Sequence, residues 1–182
     1  MKRCKVCRKQ FDPHLPMQSV CSPACALSLA QSKRAKAEKA EQVKQRKADK
    51  ERREKLKSRR DWEREAQQAF NAWVRLRDAG RPCISCGRHH TGQMHAGHYL
   101  SVGARPELRF EPLNVWLQCA PCNTYLSGNA VAYRQALVRE VGEDKVQWLE
   151  GPHEPRKRSI DDLRAIRDEY RRKARELRKE RG

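Results

Sequence analysis

Apolar residues are spaced unevenly along this chain, and their spacing divides it into segments. Over residues 62–76 they recur every three or four positions, which predicts a helix with one face packed on a core. Residues 32–60 carry few large apolar side chains, so this stretch is expected to be a solvated helix or a disordered linker. No Pro or Gly interrupts the sequence from Leu27 to Asp78. This range could therefore form one long helix.

The second half of the chain predicts a small hairpin and further helices. The stretches MHAGHYL and NVWLQC are short and apolar enough to form two paired strands, and APCNTYLSG begins a helix after them. The sequence SGNAVAYRQALVREVG predicts a helix ending at Gly142, with Asn129 as its cap, and EDKVQWLEG adds a short apolar piece. Ser159 and Asp162 resemble a capping box at the start of a C-terminal helix. The apolar seam of that helix could dock on its own core or on a second copy of the chain.

Eight cysteines fall into two groups of four. Each group consists of two close pairs separated by a longer intervening segment, which is the arrangement expected for tetrahedral zinc. Reduced buried cysteines are the alternative, but they do not account for the paired spacing. We therefore predict two structural Zn²⁺ sites, one formed by Cys4, Cys7, Cys21 and Cys25 and the other by Cys83, Cys86, Cys119 and Cys122.

The net charge of the chain indicates which classes of partner it could bind. The net charge is +18, and hydrophobic residues make up only 37% of the chain. A surplus of this size favours a polyanion such as nucleic acid, and an anionic membrane surface is the competing interpretation. No apolar run reaches the roughly 18 residues of a membrane span. The start, MKRCKVCRKQ, does not resemble a secretory signal, so we expect a cytoplasmic protein.

These features predict an α+β fold that is mostly helical and has four segments. Residues 1–27 form an N-terminal Cys4 zinc module, and residues 28–80 form a long basic helix or linker. Residues 81–151 form the core around the second zinc site. Residues 152–182 form a C-terminal basic helix.

The central segment resembles a known class of nuclease. The order of Cys-x-x-Cys, GHYL, LNVWLQC and CN is similar to HNH (ββα-metal) nucleases, whose motif positions correspond here to His98, Asn114 and Asn123. Together with the N-terminal CxxCxxxFxPxxPxQxVCSPxCA and the basic helix, the chain resembles the NinG (Rap) family of phage recombination proteins. This resemblance implies an endonuclease that acts on branched DNA such as Holliday junctions and D-loops, in the host-cell cytoplasm if the chain is phage-encoded.

The resemblance also implies roles for individual residues. His98 would be the general base, since an imidazole pKa of about 6.5 suits proton transfer at neutral pH. Asn114 would fix the imidazole through Nδ1–H, leaving Nε2 toward the attacking water. Asn123 would offer its carbonyl oxygen to a catalytic Mg²⁺ or Mn²⁺. Many HNH sites have Asp or His immediately before the catalytic His, whereas this chain has Gly97. His95 could serve as the second metal ligand only through a bend at Gly97, because strand alternation places it opposite His98.

Basic side chains supply candidate DNA contacts. Arg105 and Arg109 lie between the predicted strands and could contact phosphate, although Arg109 could equally pair with Glu107 or Glu111. Four further candidates, at the end of the basic stretch, are Arg52, Arg53, Lys55 and Lys57.

The leading hypothesis is a metal-dependent, structure-selective DNA endonuclease. A non-catalytic, zinc-dependent DNA-binding recombination mediator is the first alternative, and an RNA-processing nuclease is the second. Symmetric incision of a four-way junction would make a homodimer natural.

Overall fold

The computed structural model describes residues 1–182, which form two compact units that meet in sequence at Lys57–Ser58. The first unit is Met1–Lys57 and the second is Ser58–Gly182. This boundary falls inside the segment that was predicted as a single helix. None of the helices combines the length and the apolar character needed to cross a bilayer.

The first unit is a cysteine-rich turn followed by a long helix. Strands β1 (Lys2–Arg3) and β2 (Gln10–Phe11) pair antiparallel. Helix α1 (Pro23–Lys55) begins where the Ser22 side chain accepts a hydrogen bond from the backbone N–H of Cys25. No residue of α1 is buried. The scarcity of large apolar side chains in this helix therefore predicted its exposure correctly.

The continuous helix expected from Leu27 to Asp78 is wrong, because the chain leaves the helical conformation at Ser58. Ser58 is extended, with φ −69° and ψ 162°, and helix α2 (Arg59–Arg77) begins after it. The Ser58 side chain accepts from the backbone N–H of Asp61, and the Asp61 carboxylate accepts from the backbone N–H of Ser58. This capping box offsets the loss of helical hydrogen bonds at the break.

The second unit surrounds a two-stranded ribbon. Strands β3 (Met94–His98) and β4 (Val115–Cys119) pair antiparallel, as predicted. Three helices follow them: α3 (Ala130–Val141), α4 (Glu143–Glu150) and α5 (Ile160–Arg181). Between β4 and α3 the chain makes only a short π-helical turn over Pro121–Tyr125, in place of the helix predicted to begin there.

The ribbon is covered on both faces, because side chains alternate along each strand. On one face, Ala96 and Val115 pack into an apolar cluster with α2 and α5. On the other face, Trp116 packs into a second cluster with α3 and α4. Helix α5 thus docks on the core of its own chain, and its predicted capping box of Ser159 and Asp162 is present.

An ion pair between half-buried Arg77 and buried Asp78 fixes the end of α2 to β4. Arg77 pairs with Asp78 at 2.7 Å, and the Arg77 guanidinium lies 4.5 Å from the ring centre of Trp116. Arg77 donates to the carbonyl of Val115, and the Asp78 carboxylate accepts from the backbone N–H of Leu117. These contacts hold the second strand of the ribbon at a fixed position against α2.

Candidate functional site

Both predicted cysteine groups are assembled in the structure. In each group the four sulfur atoms lie within 4.8 Å of one another, and all eight thiols are free of disulfide bonds. Four sulfurs around a zinc ion at about 2.3 Å would be separated by about 3.8 Å. The two clusters could therefore hold a structural metal such as zinc.

The two clusters share the same turn at their first cysteine pair. In one, the backbone N–H of Arg8 donates to Cys4, and the N–H of Cys4 donates to Lys9. In the other, Gly87 donates to Cys83, and Cys83 donates to Arg88, with closely similar lengths. The residue after each pair has a positive φ, 61° at Arg8 and 66° at Gly87. Equal backbone geometry at two separate positions supports a common role as metal-binding turns.

The second cluster has an additional polar neighbour. Nε2 of His90 lies 3.3 Å from Sγ of Cys86, although the imidazole itself is exposed. An N–H donated to a thiolate would favour its charged, metal-binding form. This contact could not be predicted from the sequence, because nothing local fixes the direction of the His90 side chain.

His98 lies at the end of β3, where it is half-buried. Its Nε2 is 3.0 Å from the backbone carbonyl oxygen of Arg109. A carbonyl oxygen only accepts, so Nε2 carries the proton, and Nδ1 of the neutral ring is the free acceptor. Burial lowers the pKa of His98 below its ordinary value, although the hydrogen bond to Arg109 opposes this shift. The ring is thus held neutral with one basic nitrogen.

Asn114 does not make the predicted contact with the imidazole. Its side chain is fully buried and instead braces the loop that follows His98. Oδ1 accepts from the backbone N–H of Leu100 at 2.9 Å, and Nδ2 donates to the carbonyls of Leu100 at 3.0 Å and Leu108 at 3.3 Å. The predicted contact is absent because buried N–H and carbonyl groups of the loop backbone need hydrogen-bond partners, and the Asn114 amide supplies them. Asn114 therefore acts on the His98 region only through the backbone.

The other two asparagines lie on either side of an exposed turn. Asn123 is half-buried in the π-helical turn and directly follows Cys122. Asn129 occupies the position before α3, as expected, but its side chain does not cap the helix. The Asn129 amide instead lies 3.8 Å from Sγ of Cys122. The Asn129 side chain is thus a neighbour of the cysteine cluster.

The space next to Gly97 is filled by another side chain. A Cβ atom added at Gly97 would lie 2.1 Å from Oε1 of Gln118, which is fully buried. The amide of Gln118 therefore occupies the space that a side chain at position 97 would need. His95 pairs with Gln118 in the strand register and alternates with His98, so the register separates the two imidazoles.

The two arginines predicted as phosphate contacts are both engaged within the protein. Arg109 forms a short ion pair with Glu63 and donates to Gln67 at 2.8 Å, rather than pairing with Glu107 or Glu111. Arg105 donates to three backbone carbonyls at the end of α4 and lies 3.3 Å from Glu107. A contact with DNA phosphate would have to compete with these partners.

The four basic residues predicted at the end of α1 do not share one environment. Arg52, Arg53 and Lys55 are exposed in the last turn of the helix. Lys57 is half-buried beyond that turn. The first three side chains are therefore available to solvent.

Comparison with known proteins gives the family. The fold and the cysteine clusters define an α+β protein with two four-cysteine sites that could each hold a structural metal. Residues 1–180 match the family model described as Bacteriophage Lambda NinG protein, and the chain belongs to this NinG family.

Individual relatives match over nearly their full length. The Protein ninG of Escherichia phage lambda is 44% identical over 194 residues, which span 100% of this chain and 95% of that protein. The Protein ninG of Salmonella phage P22 is 43% identical over 194 residues, and that of Escherichia phage 933W is 42% identical over 192 residues. Each of these two alignments spans 100% of this chain and 96% of the relative. No solved structure matches the chain.

Proposed function

We propose that this protein is an HNH-type, metal-dependent endonuclease that cleaves branched DNA recombination intermediates, including Holliday junctions and D-loops. The observation that carries the proposal is the setting of His98. This imidazole is half-buried at the end of β3, is fixed by the Arg109 carbonyl, and precedes a loop braced by Asn114. A neutral ring with a free Nδ1 has the form that a general base requires.

His98 would take a proton from the attacking water. Its lowered pKa keeps the imidazole neutral at pH 7, and Nδ1 is the nitrogen without a protein partner. The motif alone suggested that Nδ1 is fixed and Nε2 faces the water, and the structure exchanges these two roles. Glu63 and Gln67 hold the Arg109 side chain, which helps to fix the carbonyl that orients the ring.

A divalent ion, Mg²⁺ or Mn²⁺, would neutralise charge at the phosphoryl group and the leaving oxygen when bound. Of the residues that the resemblance assigns to this ion, Asn123 fits best, since its amide is partly exposed. Residues 79–106 and 112–139 contain no Asp or Glu. This donor set fits a hydrated ion held jointly with DNA phosphate better than an ion enclosed by protein.

One observation favours a second candidate, a non-catalytic recombination mediator that binds branched DNA. Gly97 has no ligand to offer, and Gln118 fills the space in front of it. A protein that only binds DNA needs no metal ligand at this position. The two candidates therefore differ in one measurable property, cleavage of the DNA backbone.

The decisive experiment measures cleavage of a labelled four-way junction with Mg²⁺ or Mn²⁺. His98→Ala should lower the cleavage rate by about 100- to 10,000-fold, the usual contribution of a general base. His89→Ala is the matched control, because it removes an exposed imidazole that has no proposed role, and it should leave the rate nearly unchanged.

The possible outcomes separate the candidates. Equal cleavage by wild type and His98→Ala would refute the catalytic assignment. Junction binding without cleavage by any form would favour the mediator. Preferential cleavage of structured RNA in a parallel assay would identify an RNA-processing nuclease instead.

A further inference from the structure

An apolar surface stands beside the second cysteine cluster, and the mechanism above does not use it. Three large apolar side chains project there into solvent, and we call them the apolar tip: Tyr125, Leu126 and Val131. Tyr125 is 81% exposed, Leu126 58% and Val131 74%. Hydrophobic side chains of this size are often exposed singly, but these three fall within seven residues, two on the turn and one in the first turn of α3.

The apolar tip is rigidly built. Ser127, Gly128 and Asn129 follow one another with positive φ values of 49°, 89° and 48°. Such a run turns the chain sharply, and side chains other than glycine rarely adopt it. The turn closes on itself, since Asn129 donates to the carbonyl of Leu126 at 2.7 Å and Gly128 donates to that of Cys122 at 2.9 Å.

The turn is also anchored to the interior. The carbonyl of Gly128 accepts from Nε2 of Gln118 at 2.6 Å and from Oγ of Ser85 at 3.3 Å. Both donors are buried, and Ser85 lies between the two cysteines of the metal-binding turn. Buried side chains therefore hold a strained turn whose apolar residues point outward, an arrangement that favours a binding surface over a solvated loop.

The composition of the segments that carry the apolar tip favours a nucleic acid over a protein as its partner. Residues 79–106 and 112–139, which build the cluster and this turn, contain no carboxylate, although the whole chain has 23 Asp and Glu. Arg88 and Arg139 are exposed in these same segments. An exposed aromatic ring in a segment without carboxylates, on a chain of net charge +18, fits a nucleobase near phosphates.

We propose that the apolar tip stacks on an unpaired or unstacked base at a DNA branch point, with Tyr125 as the stacking residue. Bases in an intact duplex are covered by their neighbours, so a protruding ring gains a partner only where stacking is interrupted. This inference rests on the proposed function, and it names the feature by which branched DNA would be distinguished from duplex.

The test measures binding without cleavage. All proteins carry His98→Ala, and the probe is a four-way junction with 2-aminopurine at the branch point, compared with a duplex of the same sequence. Tyr125→Ala should weaken junction binding between about 5-fold and 100-fold and abolish the 2-aminopurine response. Duplex binding should change by less than about twofold.

Two variants control for trivial effects. Tyr125→Phe keeps the ring and should bind like the parent protein. Ile160→Ala removes another exposed apolar side chain, at the start of α5, and should have no effect. Because Tyr125 is largely exposed, Tyr125→Ala should keep the urea midpoint of the parent, which shows that it is folded.

Several results would contradict the proposed stacking by Tyr125. Junction binding by Tyr125→Ala within about twofold of the parent would overturn the inference, and so would an equal loss on duplex. A dimer-to-monomer change in light scattering with unchanged DNA binding would identify a self-association surface instead.

If junctions are bound through Tyr125 and wild type never cleaves them, the proposed function fails and this inference stands. If wild type cleaves junctions and Tyr125→Ala binds normally, the reverse holds.

Discussion

Asn114 offers the sharpest test of how the fold holds the candidate site. Its buried amide makes three hydrogen bonds to the backbone of the loop after β3, one accepted from Leu100 and two donated to the carbonyls of Leu100 and Leu108. Two substitutions separate the donor from the acceptor. Asn114→Ala removes both functions, whereas Asn114→Asp keeps the acceptor oxygen and places a carboxyl group opposite two carbonyl oxygens.

The expected magnitudes follow from these contacts. A net hydrogen bond contributes about 0.5–1.5 kcal/mol, so Asn114→Ala should lower the free energy of unfolding by about 2–4 kcal/mol. In Asn114→Asp only the protonated carboxyl can donate to a carbonyl, so its pKa in the folded state should lie above the unfolded value of about 3.9. A raised folded pKa contributes stability at low pH that is lost as pH increases. The penalty of Asp relative to Ala should therefore grow by about 1.4 kcal/mol per pH unit above pH 4, until the folded pKa is reached.

Urea unfolding with saturating zinc between pH 4.5 and 7 measures both effects. All four tryptophans lie in Ser58–Gly182, so their fluorescence reports on the unit that contains Asn114. Asn114→Ala is the reference at each pH, because every other titrating group, including the thiols, is common to both variants. A pH-independent difference between Asp and Ala, or a cost of Asn114→Ala below about 0.5 kcal/mol, would refute the proposed brace.

Three further predictions concern the rest of the candidate site. Because burial lowers the pKa of His98, its imidazole should stay neutral below pH 6.5, and junction cleavage should persist there as the pH is lowered. A cleavage rate that has already fallen by half at or above pH 6.5 would contradict the role of His98 as the base. Cys83→Ser should lower bound zinc from two ions to one and reduce the urea midpoint seen by tryptophan, whereas Cys4→Ser should lose one ion with little change in that midpoint. Replacing the basic residues at the end of α1 by Gln should reduce the salt dependence of DNA binding by up to about 0.9 per lost phosphate contact, and an unchanged slope would exclude them. These residues are Arg52, Arg53, Lys55 and Lys57.

Local patterns predicted most elements of the fold. The ribbon, the helix ending at Gly142 and the capping box at Ser159 each depend on a few neighbouring residues, and each is present in the structure. The break at Ser58 was equally local, since Ser58 and Asp61 have the spacing of a capping box. It was missed because helix-forming residues on both sides suggested continuity, and a side-chain cap outweighed propensity at one position.

The candidate site was predictable only where it depends on spacing. Paired cysteines predicted both clusters, since a Cys-x-x-Cys turn brings its own sulfurs together. The partner of Arg109 was not predictable from neighbouring residues, because Glu63 is 46 positions away and meets it only when α2 packs beside the loop. Gln118 carried an unused signal: it is the one polar residue in the apolar strand VWLQC, and it is fully buried.

Gln118 connects features that the sequence presents separately. Its side chain fills the space in front of Gly97, and its Nε2 donates to Ser85 of the metal-binding turn and to Gly128 of the turn that carries the apolar tip. The strand ending in His98, the second cysteine cluster and the apolar tip therefore share one buried amide. A side chain at position 97 would need this same space, so it would displace the amide that anchors the turn. The absence of a side chain at Gly97 therefore leaves the room in which Gln118 holds the turn of the apolar tip.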